Sequence, residues 1–185
     1  MMKEVFKDVE TRMKHAVDHF HHELKHLRTG RATLALLDGI TVEYYGTPMP
    51  INQLANLSVA DASLIVAQPY DPTQIPAIER AIMKSDLGLN PSSDGKVIRI
   101  PVPSLTEERR KEIAKKAHDF AEHARNAVRQ VRREGNDKLK KKEKDKEISQ
   151  DDERRGLDEV QKLHDRFIEE INSALHKKEQ QIMEV

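Results

Sequence analysis

SLTEERRKEIAKKAHDFAEHARNAVRQVRREGNDKLKKKEKDKE, residues 104–147, contains no proline and repeats apolar residues at helical intervals. Ile113, Ala117, Phe120, Ala124, Val128, Val131 and Leu139 fall on one stripe. The spacing predicts a helix that starts at Ser104 or Thr106, with Glu107 and Glu108 in its first turn. At about 40 residues it would reach about 60 Å. Gly135 interrupts the pattern, at a cost of about 1 kcal/mol.

Outward from this stretch, the chain is partitioned by proline. All eight prolines lie between Pro48 and Pro103. Because proline lacks an N–H and clashes with the preceding turn, the flanks Met1–Thr29 and Ser104–Val185 can be long helices, and the middle cannot. In the first flank Phe6, Val9, Met13, Ala16/Val17, Phe20, Leu24 and Leu27 form a stripe that Arg28 and Gly30 should close. After the lysines at 140–146, Ser149 reads as an N-cap followed by Asp151, Asp152 and Glu153. Leu157, Val160, Leu163/His164, Phe167, Ile171, Leu175 and Ile182 make a third stripe. The short gap makes the last two helices antiparallel neighbours, and three stripes make a three-helix bundle.

The middle is β-rich. Ile40–Tyr45 alternates, and Gly46-Thr-Pro-Met-Pro50 reads as a turn. Ile51–Leu57, Leu64–Ala67 and Val97–Val102 are further strand candidates, with one short helix on Ile75, Ile78, Ala81 and Ile82. The fold class expected is α+β: a long three-helix bundle (1–29 and 104–185) with an inserted small β/α/β domain (30–103). The thin connections near 29–31 and 103–105 suggest a hinge made of Thr29, Gly30, Pro103, Ser104 and Leu105.

Composition excludes several chemistries. With no cysteine there is no disulfide, thiolate metal site or thiol nucleophile. No apolar run approaches a membrane span, and the N-terminus has no signal-type core, so a soluble cytoplasmic protein is expected. Gly88-Leu-Asn-Pro-Ser-Ser-Asp-Gly95-Lys96 resembles a phosphate loop but has the wrong glycine spacing, and Val97 replaces the magnesium-binding hydroxyl. His15, His19, His22 and His26 share a helix face at metal-binding intervals, yet that face looks outward and no carboxylate on it completes a catalytic set. Asp38 and Glu43 face no visible pocket. No catalytic residue, metal or cofactor is expected, and a metal enzyme on the histidine face is the weakest reading.

The charges total zero, 32 against 32, but are distributed unevenly. Residues 104–147 carry 15 basic against 10 acidic side chains, and 148–185 carry 6 against 10. Arg125, Arg129, Arg132 and Arg133 share one face of the long helix, away from its Ala124/Val128/Val131 stripe. Guanidinium forks suit phosphate, and no aromatic interleaves with them, so the shape of an RNA backbone fits better than stacked bases. The opposing reading is a solvated face paired to Glu122 and Asp137. A helical chaperone or scaffold is a second class, but its tips would be apolar, and here they are charged.

Longer motifs point to a family. Arg28-Thr-Gly-Arg-Ala32, Leu36-Leu-Asp-Gly-Ile40, Val42-Glu-Tyr-Tyr-Gly-Thr-Pro48 and Ala81-Ile-Met-Lys-Ser-Asp-Leu-Gly-Leu-Asn-Pro91 are four of them. Leu105-Thr-Glu-Glu-Arg-Arg-Lys111, Val128-Arg-Gln-Val-Arg-Arg133 and Asp145-Lys-Glu-Ile-Ser149 complete the set. Together they resemble the bacterial ribosome recycling factor family over essentially the whole chain. The resemblance implies an L-shaped monomer, tRNA-like in outline, that binds the large ribosomal subunit after termination. It implies splitting of the post-termination complex with GTP-bound elongation factor G. It also implies rRNA contacts at Arg129 and Arg132, then Arg133, with Arg28 and Arg31 as further contacts. The histidine face and the lysine run at 138–146 receive no role from it.

Overall fold

The computed structural model describes residues 2–184, so Met1 and Val185, the ends of the two expected flanks, lie outside the described residues. The chain divides into two compact units, one made of 1–27 with 111–185, the other of 28–110.

The first unit contains three helices. Helix α1 spans Met2–Lys25, α4 spans Glu107–Lys144, and α5 spans Gln150–Met183. On α1 the buried positions are Val5, Val9, Met13, Val17, Phe20 and Leu24. Val5 thus takes the place expected for Phe6, which is half-buried. The helix stops at Lys25, before Arg28, with His22 and Lys25 in its last turn, where cations suit the helix dipole. On α4, Ala121 is buried in place of Phe120. Thr106 begins α4: its Oγ1 accepts from Arg109 N–H at 3.2 Å.

Two terminations join α4 to α5. Glu147 N–H donates to Lys142 C=O and Lys146 N–H to Glu143 C=O, both at 2.8 Å, the paired bonds of a Schellman motif. Lys146 occupies the left-handed position, φ +60°, where glycine is usual. Ser149 then opens α5 with a capping box, its hydroxyl accepting from Asp152 N–H at 3.1 Å. Both ends of this short link are therefore held by hydrogen bonds, which fixes α5 antiparallel to α4.

Gly135 is no interruption. It is buried in the α4 stripe, and a Cβ there would stand 2.7 Å from Val9 Cγ2 on α1, with Val160 of α5 at 3.7 Å. Gly156 repeats the arrangement on α5, where a Cβ would meet Leu139 Cδ1 at 3.0 Å. The helix-propensity cost of about 1 kcal/mol per glycine is offset by close packing of large aliphatic side chains, each contributing about 1.5–3 kcal/mol when buried.

In the smaller unit, β1 (Thr41–Tyr44) and β2 (Thr47–Pro50) form an antiparallel hairpin. The turn is Tyr45-Gly46, both with positive φ, the geometry of a two-residue hairpin loop. Thr47–Pro50, expected as turn, is instead a strand. Pro48 and Pro50 are exposed at alternate positions of an edge strand, where a missing N–H costs no ladder bond. Ile51–Leu54 forms the short helix α2, and a strand begins only at Ala55. Strands β3 (Ala55–Asp61), β4 (Leu64–Pro69), β5 (Ser92–Ser93) and β6 (Ile98–Pro101) make an antiparallel sheet in the order β3-β4-β6-β5. Helix α3 (Ile75–Lys84) follows a short turn of helix capped by Asp71. The core gathers Val42, Ile65, Ala67, Ile78, Ile82, Ile98 and Ile100. The architecture is mixed α+β, and in the four-stranded sheet α3 lies in the chain between the paired strands β4 and β6, with the hairpin as a second small sheet.

Gly135→Ala should destabilise the bundle by about 1–2 kcal/mol, because Val9 is stiff and buried and overpacking outweighs the gain in helix propensity. Adding Val9→Ala should convert the Gly135→Ala change from a loss into a neutral or stabilising one. Denaturant unfolding of the four proteins in that cycle checks it.

Candidate nucleic-acid interface

The arginine row on α4 is built by helical geometry, but its members differ in surroundings. Arg125 is half-buried beside α5, its Nε donating to Asn172 Oδ1 at 3.0 Å and its Nη1 to Glu122 Oε2 at 3.0 Å. Arg129 donates to Glu122 Oε1 at 3.1 Å and to Asn126 Oδ1 at 3.0 Å. Arg132 is also half-buried and donates to Gln161 Oε1 of α5 at 3.2 Å. Arg133 is exposed, with no hydrogen bond or ion pair among the described residues. The row therefore does not stand well away from the core stripe. Arg125 and Arg132 border the α4–α5 seam, while Arg129 and Arg133 point further outward.

Glu122 lies within the row. Hydrogen bonds from Arg129 first, then Arg125, hold its carboxyl below the ordinary carboxylate range, so it is ionised at neutral pH. Glu122 within the row and Asp165 near Arg132 are outnumbered by the four guanidiniums, which leaves the face cationic. Asp137, the other acid expected as a partner, pairs with none of the four among the described residues. Asn172 and Gln161 were not legible as partners, because they lie 47 and 29 residues along the chain from Arg125 and Arg132. No local spacing signals such pairs.

Arg28 and Arg31 fall in the smaller unit, 28–110, not in the bundle with Arg129, Arg132 and Arg133. Arg28 is half-buried and Arg31 exposed, and the next residue, Ala32, is fastened by its N–H to Ala62 C=O at 2.7 Å. Thr29, Gly30, Pro103, Ser104 and Leu105 belong to the same unit. Gly30 has φ +79°, and a Cβ on it would stand 3.3 Å from Leu105 Cγ, so the two segments touch.

The end of the loop after α3 commits two of its amides to a side chain. Asp94 accepts from Lys96 N–H and Val97 N–H, each at 3.0 Å, and faces Arg99 at 3.3 Å. Those N–H bonds, Val97 first, hold its carboxyl below the ordinary range, so an anion approaching the loop meets a charged carboxylate. His15, His19, His22 and His26 are all exposed, and His22 and His26 meet edge-on with centroids 4.5 Å apart. Beside this face Glu23 lies 3.6 Å from the exposed His19. Among the described residues no group of three or more His, Cys, Asp or Glu could hold a metal ion. Glu43 also departs from expectation, since with Thr41, Arg80 and Lys84 it lines an open groove of about 450 Å³ between the hairpin and α3.

Residues 20–183 match the family described as ribosome recycling factor. This chain belongs to the ribosome recycling factor family. It is 55% identical over 185 residues to the ribosome-recycling factors of Syntrophomonas wolfei and of Halalkalibacterium halodurans, covering the whole of each. A solution structure of the ribosome recycling factor matches with a TM-score of 0.79 at 44% identity, over 100% of this chain and 98% of that one. A second similar structure is of the T. thermophilus ribosome recycling factor and E. coli elongation factor G bound to the E. coli post-termination complex. It matches with a TM-score of 0.67 at 42% identity, over 100% of both chains. No described helix is long and apolar enough to cross a membrane.

The ion pairs at and beside this face make stability depend on acid. Asp8 is lowered by Lys138, Glu122 by Arg129, Glu134 by Arg12 and Asp165 by His164, the largest cause in each case. A carboxyl whose folded pKa lies below its unfolded one stabilises the fold above the unfolded value, and that stability is lost as pH falls through the folded value. The melting temperature should therefore be level from roughly pH 7 to 5 and fall below about pH 4. The fall should be shallower in high salt, because these groups are exposed and screened. Calorimetry across that range at two salt concentrations measures it.

Proposed function

We propose that this chain recycles ribosomes after translation termination: it binds the large ribosomal subunit and, with elongation factor G and GTP, splits the post-termination complex. The observation that carries the reading is family membership along nearly the whole chain, together with the likeness to a factor bound with elongation factor G to a post-termination complex. It works in the cytoplasm, where ribosomes terminate, and catalyses no covalent step itself. Lys96 N–H and Val97 N–H, at the end of the Gly88–Lys96 loop, are spent on Asp94, and in this reading the energy of GTP enters through the partner protein.

In this reading the α4 arginines grip ribosomal RNA. Arg129 and Arg132 make the first contacts, Arg133 the next, and Arg28 and Arg31, close to the joint, add further contacts. Guanidinium forks bind phosphate in two parallel hydrogen bonds, and each contact releases counterions. Domain I is 1–29 with 104–185 and domain II is 30–103, turning on Thr29, Gly30, Pro103, Ser104 and Leu105. The partner GTPase pushes domain II or this joint, and the stiff bundle transmits the push to the contacts between subunits.

Arg132→Gln keeps side-chain length and removes the charge. It should leave the melting temperature nearly unchanged, slow subunit splitting, and reduce the salt slope of large-subunit binding by about one. Normal splitting by that variant contradicts the role given to Arg132. A disulfide engineered between the two domains should abolish splitting until it is reduced; undiminished turnover in the crosslinked form would remove the hinge from the mechanism.

A further inference from the structure

Arg132 is tied to a chain of polar groups on α5. Its Nη1 donates to Gln161 Oε1 at 3.2 Å. The Nε2 of the same amide donates to Asp165 Oδ1 at 2.8 Å and lies 3.3 Å from His164 Nδ1. His164 Nδ1 stands 2.9 Å from Asp165 Oδ1. The Nε2 of His164 is buried without a partner, so in the neutral ring the proton belongs on Nδ1, aimed at Asp165. Both ends of the Gln161 amide are thus in use: the N–H on its own helix, the carbonyl on α4.

The chain has a direction. Asp165 is held below the ordinary carboxylate range by His164 first and Gln161 second, so it is ionised at neutral pH. An ionised acceptor polarises the amide that donates to it, and the far carbonyl becomes a better acceptor for a guanidinium. Arg133, the next residue, has no such tether among the described residues. A free arginine must lose rotamer freedom when it meets a phosphate, whereas a tethered one has already lost much of it. The Gln161 carbonyl takes one of the five guanidinium N–H donors, which leaves enough for a phosphate fork.

We infer that Gln161, held by Asp165, which His164 in turn contacts, is a positioning residue that presents the Arg132 guanidinium to a ribosomal RNA phosphate. The inference rests on the arginine-face reading above. It adds a residue that touches no RNA in that reading and lies on a different helix.

The test is a double-mutant cycle on full-length protein, read as affinity for isolated large ribosomal subunits, with melting temperature recorded for every variant. Gln161→Leu removes both amide bonds. Gln161→Asn keeps the amide but shortens its reach, and serves should the leucine variant fold poorly. Either change should weaken binding about two- to tenfold, the cost of ordering one arginine, with little change in melting temperature. Arg132→Gln should weaken binding at least as much, and combining it with either Gln161 change should cost nothing further. If the Gln161 and Arg132 losses multiply, or if the Gln161 variants bind like the unaltered protein, the positioning role is overturned while the arginine face stands. If Arg132→Gln itself binds normally, the arginine-face reading falls, and the inference with it.

Discussion

Side-chain packing at two glycines, one on α4 and one on α5, is the constraint on which the bundle rests. At Gly135 there is no room for even one carbon beside Val9, and at Gly156 none beside the methyl groups of Leu139. Glycine is a poor helix residue, yet here it lies deep inside two helices of 38 and 34 residues. The exchange is favourable because each missing side chain lets a large aliphatic neighbour bury itself fully. Leu139 and Val160 are wholly buried, and Val9 very nearly so. The seams on either side of α4 take their spacing from these contacts, and the polar pairs that cross those seams depend on it.

Those pairs fall into two sets. Across α1 and α4, Asp8 meets Lys138 at 2.7 Å and Arg12 meets Glu134 at 2.5 Å. They fix the register of one helix on the other, although exposed ion pairs add little energy each. Across α4 and α5 the acceptors facing the arginine row are neutral amides, Asn172 and Gln161, while further along the seam His118 meets the Glu179 carboxylate. The difference has a consequence for binding. An arginine paired to a carboxylate is neutralised, but one held by an amide keeps its full charge while losing its freedom. Arg132 is held in that second way, whereas Arg125 meets both the Asn172 amide and the Glu122 carboxylate. An RNA phosphate therefore meets charges already oriented by the fold.

Long elements were legible from residue order alone. The apolar periodicity of α1, α4 and α5, the Thr106 and Ser149 caps, and the confinement of proline to 48–103 each depend on neighbours within a few positions. Misread positions were those decided by packing or by edge location. Phe120 is half-buried, and Ala121 takes the core place expected for it. Pro48 and Pro50 became strand because their hairpin is an edge.

Residue order by itself therefore determined three helical stripes, a β-rich insertion, a cationic helix face and the family motifs, because all of these are written in local spacing and residue type. Tertiary structure alone decided that Gly135 is a contact rather than a break, that Arg125 and Arg132 border a helix seam, and that Gln161 and Asn172 hold them. The physical reason is distance along the chain. Partners 29 and 47 residues apart meet only after two helices have packed, and no local pattern records which side chains that packing brings together.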